Sequence, residues 1–248
     1  GGGAPPSAGV NPSRPTAWLR FRVAVLDRVA AVVLLPVLGP AIGVLAAWVH
    51  RREGRPMFVG LDRVGAGGRI FRMWKIRSMS AARDDGSAGG SVITASTDRR
   101  VTATGELLRR WRLDELPQVL NVLRGDMGLL GPRPETPSLV ASGDPEWEAV
   151  LAVRTGVAGP TQLLVDRWEA SVLAEGDAED RYREDVLPVK LAADRWYVEH
   201  ASPAIDLRVL WSMVQRFGLC RDRTTVEAVL RAAVPEAAAV PVTVAPPT

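Results

Sequence analysis

The sequence is poor in the side chains that most often build metal centres and disulfide frameworks. Its 248 residues include one cysteine, Cys220, and two histidines, His50 and His200. One cysteine excludes an internal disulfide bond and cannot hold zinc by itself, and two histidines disfavour a histidine-based site. These counts therefore exclude a disulfide framework and a cysteine-based zinc site.

Lysine is scarce as well, because Lys75 and Lys190 are the only two and the other 29 of the 31 basic residues are arginines. The formal net charge is +3. Basic chains of this kind meet nucleic acid, anionic lipid or phosphate-rich substrates. Aromatic residues make up only 6% of the chain, and no helix-turn-helix, zinc-finger or RNA-binding pattern is present. The sequence therefore predicts a lipid or phosphate partner and no nucleic acid.

One long stretch has no charge at all: the 21 residues from Val29 to Val49 could span the hydrocarbon core of a bilayer. A single transmembrane helix is one interpretation. However, Pro36, Gly39 and Pro40 interrupt the helical pattern, and arginines flank the stretch on both sides. A spanning helix normally has its basic excess on one side only. We therefore favour a re-entrant helix–break–helix that turns at Pro36 and Pro40 and returns to the same face.

The chain is organised around the run LDELPQVLNVLRGDMGLLGPRP, which begins at Leu113. Apolar residues at helical spacing predict a short helix here, and they are Leu116, Val119, Leu120 and Leu123. Pro117 suits its first turn, and Gly125 suits the residue just past its end. Asp114 and Glu115 are therefore predicted at the helix N-terminus, where unpaired N–H groups and the helix dipole favour anions.

Three arginines, Arg109, Arg112 and Arg133, lie close to this acidic pair in the sequence. A capping aspartate with solvated neighbours is the simpler interpretation. The convergence of carboxylates, arginines and a helix N-terminus instead suits a phosphorylated ligand with a metal ion. We favour the second interpretation, with the three arginines as phosphate contacts.

The same run resembles the signature of the bacterial sugar transferases, the small monotopic polyprenyl-phosphate phosphoglycosyl transferases. The resemblance implies that Asp114 is a nucleophile that attacks the sugar-bearing phosphorus of a UDP-sugar, releasing UMP and leaving a phosphosugar on the enzyme. A polyprenyl phosphate, such as undecaprenyl phosphate, would then attack that intermediate. The resemblance also implies Mg²⁺ as the cofactor, with Asp114 and Glu115 as its ligands and Glu115 supporting metal or proton handling.

Residues 55–80 predict a β-hairpin, because glycines separate two apolar-rich runs. Lys75 and Arg77 fall on one face of its second strand, which is usually a solvated arrangement. This stretch resembles the family pattern RVG…F…KFRSM, so both side chains are candidate substrate or phosphate contacts. Arg154 lies in a segment that resembles the family's RPGITG…Q, which makes it a candidate contact for the nucleotide phosphate. In the Gly/Ser-rich loop, Asp84-Asp85 is interpreted as a solvated pair rather than a metal site.

Together these features predict an α/β fold that is helix-dominated, with a small sheet. The predicted divisions are a disordered lead (1–16), a re-entrant membrane hairpin (17–50), a cytoplasmic catalytic domain (51–218) and a C-terminal tail (219–248). A helix beginning at Ser202-Pro203 carries an apolar stripe that is either core or a surface-lying membrane helix, and we expect a mixture.

The expected function is transfer of a sugar-1-phosphate from a UDP-sugar to polyprenyl phosphate at the cytoplasmic face of the bacterial plasma membrane. This step would start a lipid-linked glycan for exopolysaccharide, capsule or glycoprotein. Two alternatives stay open: a non-catalytic, membrane-anchored protein that binds nucleotide sugar or scaffolds glycan assembly, and a bitopic protein that docks on anionic lipid. The sequence does not disclose the sugar, because selectivity depends on pocket shape. The oligomeric state, a homo-oligomer included, also stays open.

Overall fold

The computed structural model describes residues 15–80, 100–173, 178–215, 225–238 and 240–241. Helices dominate this part of the chain, as predicted. The helices are α1 (Ala17–Phe21), α2 (Asp27–Glu53), α3 (Ala103–Arg110), α4 (Val119–Arg124), α5 (Pro145–Val150), α6 (Pro160–Val172), α7 (Ala178–Arg181), α8 (Leu187–His200), α9 (Pro203–Val214), α10 (Thr225–Ala233) and α11 (Pro235–Ala238). The strands are β1 (Phe58–Val64), β2 (Ile70–Ile76), β3 (Gly128–Leu130) and β4 (Gly156–Ala158). They form two separate pairs, antiparallel β1–β2 and parallel β3–β4, rather than one sheet.

The apolar segment forms a helix from Ala17 to Glu53, in which a π-helical turn joins α1 to α2. It is long and apolar enough to cross a membrane, and only 11% of its most apolar stretch is buried against the rest of the chain. Helical structure continues through Pro36 and Pro40, so the expected break is not an interruption of the helix. Each proline removes one backbone N–H, a loss that a helix can absorb at the cost of one hydrogen bond. The re-entrant path stays a prediction.

Both ends of this helix are attached to the same body. At the N-terminal end, the hydroxyl of Thr16 donates to the carbonyl oxygen of Ala201, at 2.8 Å. At the C-terminal end, the Arg77 guanidinium donates to the carbonyl oxygens of Glu53 and Gly54, at 2.8 and 3.1 Å. The Glu53 carbonyl ends α2 and the Gly54 carbonyl follows it, so neither has a partner within the helix. Both ends of the helix therefore contact the body that follows it in the chain.

The predicted hairpin is confirmed. Strands β1 and β2 pair in antiparallel register from Phe58 opposite Ile76 to Val64 opposite Ile70. The connecting turn includes Gly67 and Gly68, whose φ angles of 65° and 75° fall in the left-handed region that glycine tolerates best.

A buried amide fixes the hairpin against the following helix. The Asn121 side chain on α4 accepts the Trp74 N–H at 3.1 Å and donates to the Arg72 carbonyl at 2.7 Å. Asn121 thus replaces strand partners that β2 lacks on this edge, and it places the second strand beside the acidic pair.

The predicted central helix is built in two parts. Leu113–Gln118 form a 3₁₀ helix that holds the acidic pair in its first turn, and α4 follows directly. Gly125 ends α4 in the left-handed conformation with φ 80°, as its sequence position predicts. The predicted apolar face holds in part, because Val119 is buried whereas Leu120 is exposed.

The second strand pair sets the path of the chain after α4. Gly128 lies opposite Gly156, and Leu130 lies opposite Ala158. The Gly156 N–H also donates to the Pro132 carbonyl at 2.7 Å. The pairing therefore fixes the backbone immediately before Arg133.

A methyl group at Gly156 should disturb this pairing. A Cβ there would lie 2.2 Å from the Gly131 nitrogen, which is backbone and cannot rotate away. We expect Gly156→Ala to lower the free energy of unfolding by about 1–3 kcal/mol, as overpacking does. Chemical denaturation measures this change. Gly43→Ala is the matched control, because no atom lies within 4 Å of a Cβ at that position; equal effects of the two variants would contradict the argument.

Part of the predicted C-terminal tail is folded. Within it, α10, α11 and the residues beside them bury apolar side chains against α6 and α8, and these are Leu230, Val234, Ala237 and Val240. Alanine and valine are small, but their helical spacing still creates an apolar face that packs. Asp84 and Asp85, the residues 1–14 of the predicted lead and the tail residues 219–224, 239 and 242–248 lie outside the described residues.

The stripe on α9 is shared between core and surface, as expected. Val209 and Ser212 are fully buried. The opposite side is exposed and apolar, with Leu207, Leu210, Trp211 and Val214 on it.

Candidate active site

The acidic pair lies in a buried position at the start of the 3₁₀ helix. Asp114 is 5% exposed and Glu115 is 7% exposed. Burial of two adjacent carboxylates is costly unless cations neutralise them. The surrounding residues supply that charge.

Three cations converge on the pair, and two of them, Lys75 and Arg133, come from stretches that are distant from it in the sequence. Lys75 Nζ lies 2.9 Å from Glu115 Oε1 and 3.8 Å from Asp114 Oδ2. Arg133 Nη2 lies 2.9 Å from the same Glu115 oxygen, and Arg112 Nη1 lies 3.5 Å from the other one. The structure therefore brings together Lys75, Arg112 and Arg133 with both predicted catalytic carboxylates.

The cations keep Glu115 ionised. Burial by itself would raise the pKa of Glu115, but Arg133, Lys75 and Arg112 outweigh burial and hold this pKa well below its usual range. Burial would likewise lower the pKa of Arg133, and the contact with Glu115 raises it instead. Since both groups stay charged at neutral pH, the pair Arg133–Glu115 is a fixed element of the site.

Arg112 has an unusual backbone conformation directly before the acidic pair. Its φ of 52° is left-handed, and among the described residues no other non-glycine residue has a positive φ. Such a conformation costs on the order of 1 kcal/mol or more and persists only where neighbours enforce it. The Arg112 side chain is held in turn by Asp166 on α6, whose carboxylate accepts from Arg112 Nη2 at 2.5 Å.

The other three predicted phosphate contacts lie elsewhere. Arg77 is 1% exposed and caps the C-terminal end of α2, so a bound substrate cannot reach it without opening this part of the body. Arg109 donates to the Ser78 hydroxyl at 2.8 Å, which joins α3 to the end of β2. Arg154 donates to the Val23 carbonyl at 2.8 Å, near the N-terminal helix. Their contact with substrate stays a prediction that these positions do not support.

The donor set allows a divalent cation only with help from the substrate. Within the described ranges, no group of three or more Asp, Glu, His or Cys side chains could hold a metal ion. Mg²⁺ commonly uses one or two carboxylates and takes its other ligands from phosphate oxygens and water. Asp114 fits as such a carboxylate, whereas Glu115 is already held by three cations. The predicted magnesium site therefore fits the residues present when a diphosphate completes it.

Sequence reasoning missed Asp166 and a second buried cluster behind the site. This cluster contains Glu135, Glu169, Tyr182, Lys190 and Asp194. Asp166 and Asp194 carry no local signal, since each is one acidic residue within an ordinary helix. Lys190 is one of two lysines in the chain, and that scarcity is a signal that could have drawn attention to it.

Fold and site together define a membrane-associated protein with a buried carboxylate pair held among cations, suited to a phosphorylated substrate. A family model described as bacterial sugar transferase matches residues 18–218. The chain therefore belongs to the bacterial sugar transferase family.

Curated relatives agree with this membership. A UDP-N-acetylgalactosamine-undecaprenyl-phosphate N-acetylgalactosaminephosphotransferase of Aeromonas hydrophila is 32% identical over 193 residues, which cover 77% of this chain and 42% of the relative. An undecaprenyl-phosphate glucose phosphotransferase of Komagataeibacter xylinus is 31% identical over 205 residues, covering 80% and 36%. A UDP-glucose:undecaprenyl-phosphate glucose-1-phosphate transferase of Caulobacter vibrioides is 32% identical over 200 residues, covering 79% and 69%. The chain thus spans less than half the length of the first two.

Proposed function

We propose that this protein transfers a sugar-1-phosphate from a UDP-sugar to undecaprenyl phosphate and so starts a lipid-linked glycan. The observation that carries the proposal is the buried pair Asp114–Glu115 among Lys75, Arg112 and Arg133, at distances of 2.9 to 3.8 Å. The names of the relatives support the substrate class, because each name includes undecaprenyl phosphate.

In the proposed first step, a carboxylate oxygen of Asp114 attacks the phosphorus that carries the sugar. A bond forms between that oxygen and phosphorus, and the bond from phosphorus to the bridging oxygen breaks, so UMP leaves with the electron pair. The phosphosugar stays on Asp114 as an acyl phosphate. In the second step a phosphate oxygen of undecaprenyl phosphate attacks the same phosphorus, which restores the carboxylate.

The charge balance of the cluster supports a divalent cofactor. Asp114, Glu115 and Asp166 contribute three negative charges, and Lys75, Arg112 and Arg133 contribute three positive ones. A diphosphate therefore enters a site with no surplus positive charge from this group. Bound Mg²⁺ would supply the missing charge and polarise the phosphoryl oxygens.

Membrane attachment supports a lipid acceptor. The apolar helix Ala17–Glu53 exposes most of its length, and both of its ends contact the body that holds the acidic pair. An amphiphilic acceptor lies at the membrane surface, so a helix embedded from one side brings the site to the substrate. We propose attachment at the cytoplasmic face with the helix re-entering that face.

Arg133 should contact the diphosphate through its planar guanidinium, because two parallel N–H groups match two phosphate oxygens. We expect Arg133→Lys to lower kcat/KM for the UDP-sugar by about tenfold or more, since about 1.4 kcal/mol of transition-state binding corresponds to tenfold. Steady-state UMP release measures the change. Arg124→Lys is the control, because Arg124 is exposed at the end of α4. Unchanged kinetics in Arg133→Lys would place Arg133 outside the substrate site.

A panel of UDP-sugars tests the proposed function directly. The full chain in membranes or detergent, with Mg²⁺ and undecaprenyl phosphate, is expected to release UMP from at least one sugar nucleotide. Release that depends on both the lipid phosphate and Asp114 supports the transferase. Absence of UMP with every sugar tested, from a folded preparation, would overturn the activity and favour a binding or scaffolding role.

A further inference from the structure

Residues 132–135, with the sequence Pro-Arg-Pro-Glu, form a short segment that brings Arg133 to the acidic pair. On its N-terminal side, the Gly156 N–H donates to the Pro132 carbonyl at 2.7 Å. On its C-terminal side, the Val64 N–H donates to the Glu135 carbonyl at 2.9 Å. The backbone of the segment is therefore tied at both ends, to β4 and to the end of β1.

The segment is also stiff between those ends. The rings of Pro132 and Pro134 fix the φ angle of each proline. A residue that precedes a proline is confined to extended conformations, and Arg133 is such a residue. Because few rotations stay free, a displacement of Glu135 is transmitted to Arg133 two residues away.

Two side chains hold the carboxylate of Glu135. Its Oε1 accepts from the Tyr182 hydroxyl at 2.6 Å and lies 2.7 Å from Lys190 Nζ on α8. Lys190 Nζ also donates to the Tyr182 hydroxyl, at 2.5 Å. The three groups form a closed triangle of hydrogen bonds, in which the donor and acceptor roles are consistent and the carboxylate is only an acceptor.

The triangle is buried and charged. Lys190 is 5% exposed and Tyr182 is 3% exposed. Burial would lower the pKa of Lys190, but Glu135 and Glu169 outweigh burial and hold this pKa well above its usual range. Burial would raise the pKa of Glu135, but Lys190 outweighs burial and lowers it. Both groups are therefore charged at neutral pH, and hydrogen bonds between charged groups are the strong ones.

Stability alone does not explain a buried ion pair at this place. Taking two charges out of water is costly, and well-packed apolar side chains of similar volume often stabilise a fold as well or better. Apolar contacts, however, have no preferred direction, whereas the hydrogen bonds of Lys190 and Tyr182 fix the direction of the Glu135 carboxylate. The definite position of residue 135 is what the pair adds.

Lys190 also connects the segment to α6. Its Nζ lies 3.7 Å from Glu169 Oε2 on that helix. Three residues earlier on the same helix, Asp166 accepts from Arg112. The helix α6 is thus tied to Arg112 directly and to the segment of Arg133 through Lys190.

We propose that Lys190 and Tyr182 are positioning residues for the sugar-phosphate transfer, which set the place of the Arg133 guanidinium through Glu135 and the stiff backbone between them. The kinetic consequence rests on the proposed function. In the anchored segment, Arg133 Nη2 lies 2.9 Å from Glu115 Oε1. Lys190 and Tyr182 act only through Glu135 in this scheme and do not contact the substrate.

A double-mutant cycle with Arg133 separates positioning from a general effect on folding. Tyr182→Phe removes one hydrogen bond to Glu135 and keeps the aromatic ring. We expect it to lower kcat/KM for the UDP-sugar by about fivefold in the wild-type background and by less than about twofold in the Arg133→Ala background. The full chain in detergent is used for all four proteins. A merely structural role predicts the same factor in both backgrounds, and that result would overturn the proposal.

Tyr197→Phe is the matched control. Tyr197 is fully buried like Tyr182, and its hydroxyl donates to a carboxylate of a different network, Asp206, at 2.5 Å. We expect any loss in Tyr197→Phe to be the same in both Arg133 backgrounds. A dependence on Arg133 as large as that of Tyr182→Phe would mean that any buried hydroxyl gives it, and would overturn the proposal.

Lys190→Met removes the charge and keeps a side chain of similar length. It leaves the Glu135 carboxylate buried without its cation, so we expect a larger loss of kcat/KM, about tenfold or more, and again less than about twofold in the Arg133→Ala background. An equal loss in both backgrounds would contradict the proposal. If Lys190→Met does not fold, the Tyr182→Phe cycle decides.

Thermal unfolding of the Tyr182→Phe cycle gives a readout that does not need activity. Tyr182→Phe should lower Tm less in the Arg133→Ala background, because the Arg133–Glu115 ion pair that the anchor supports is already gone there. Additive Tm shifts would contradict the proposal. If the wild type releases no UMP from any sugar nucleotide, the proposed function fails, and the thermal cycle still decides whether the anchor of Glu135 sets the place of Arg133.

Discussion

Asp114→Asn is expected to abolish both turnover and the first release of UMP. In the wild type without undecaprenyl phosphate, the covalent route predicts about one UMP per site and then no further release, as ping-pong chemistry requires. The amide of asparagine has nearly the same volume but no charged oxygen to attack phosphorus. Rapid-mixing measurement of UMP against enzyme concentration checks the burst, and trapping of radiolabelled phosphosugar on the protein checks the intermediate.

Glu115→Gln is the matched comparison for that variant. Glu115 accepts from Lys75 and Arg133, so its neutralisation should disturb two cations and slow the burst without removing the nucleophile. A wild-type enzyme that releases UMP only after the lipid phosphate is added, with no phosphosugar trapped on Asp114, would contradict the covalent route. Direct transfer would then replace it, with the two carboxylates serving as metal ligand and base.

Labelling from outside the cell should reach neither end of the apolar helix. Thr16 and Gly54 both contact the body that carries the site, so a bilayer cannot separate them while those contacts exist. Single cysteines at Thr16 and Arg52, in a Cys220→Ser background, should react with a membrane-impermeant maleimide only after the cells are permeabilised. We expect no labelling of either cysteine in intact cells and full labelling of both after permeabilisation.

The permeabilised sample is the positive control for both positions. Labelling of Thr16→Cys in intact cells, with Arg52→Cys protected, would indicate a spanning helix and contradict the one-sided arrangement. A spanning helix would also have to break the contact of Thr16 with Ala201 and expose the last-turn carbonyls that Arg77 holds. Unpaired polar groups of this kind are costly in a bilayer.

The sequence predicted those parts of the fold whose backbone conformation depends only on neighbouring residues. The hairpin follows from glycines between two apolar runs, and the end of α4 follows from Gly125, which accepts a left-handed φ of 80°. The N-terminal position of Asp114 follows from Pro117 three residues later. In each case the backbone conformation is decided within a few residues, so spacing alone was sufficient.

Spacing could not predict the partners of the acidic pair in the same way. Lys75 and Arg133 lie 40 and 18 residues from Glu115 along the chain, and they meet it only because β2 packs on the 3₁₀ helix and β3 pairs with β4. Arg77 shows the reverse case. It is two residues from Lys75, directly after the end of β2, yet it contacts the end of α2 and is buried there.

The sequence alone determined three features of this protein: an acidic pair at a helix start, an arginine between two prolines, and an apolar stretch of 21 residues without charge. Those features depend on residue type and on near neighbours in the chain, and both can be read from the sequence. Only the tertiary structure decided which cations neutralise Glu115 and that Asp166 pairs with Arg112. Such contacts join residues tens of positions apart, because packing of the elements, rather than local preference, sets the distance between their side chains.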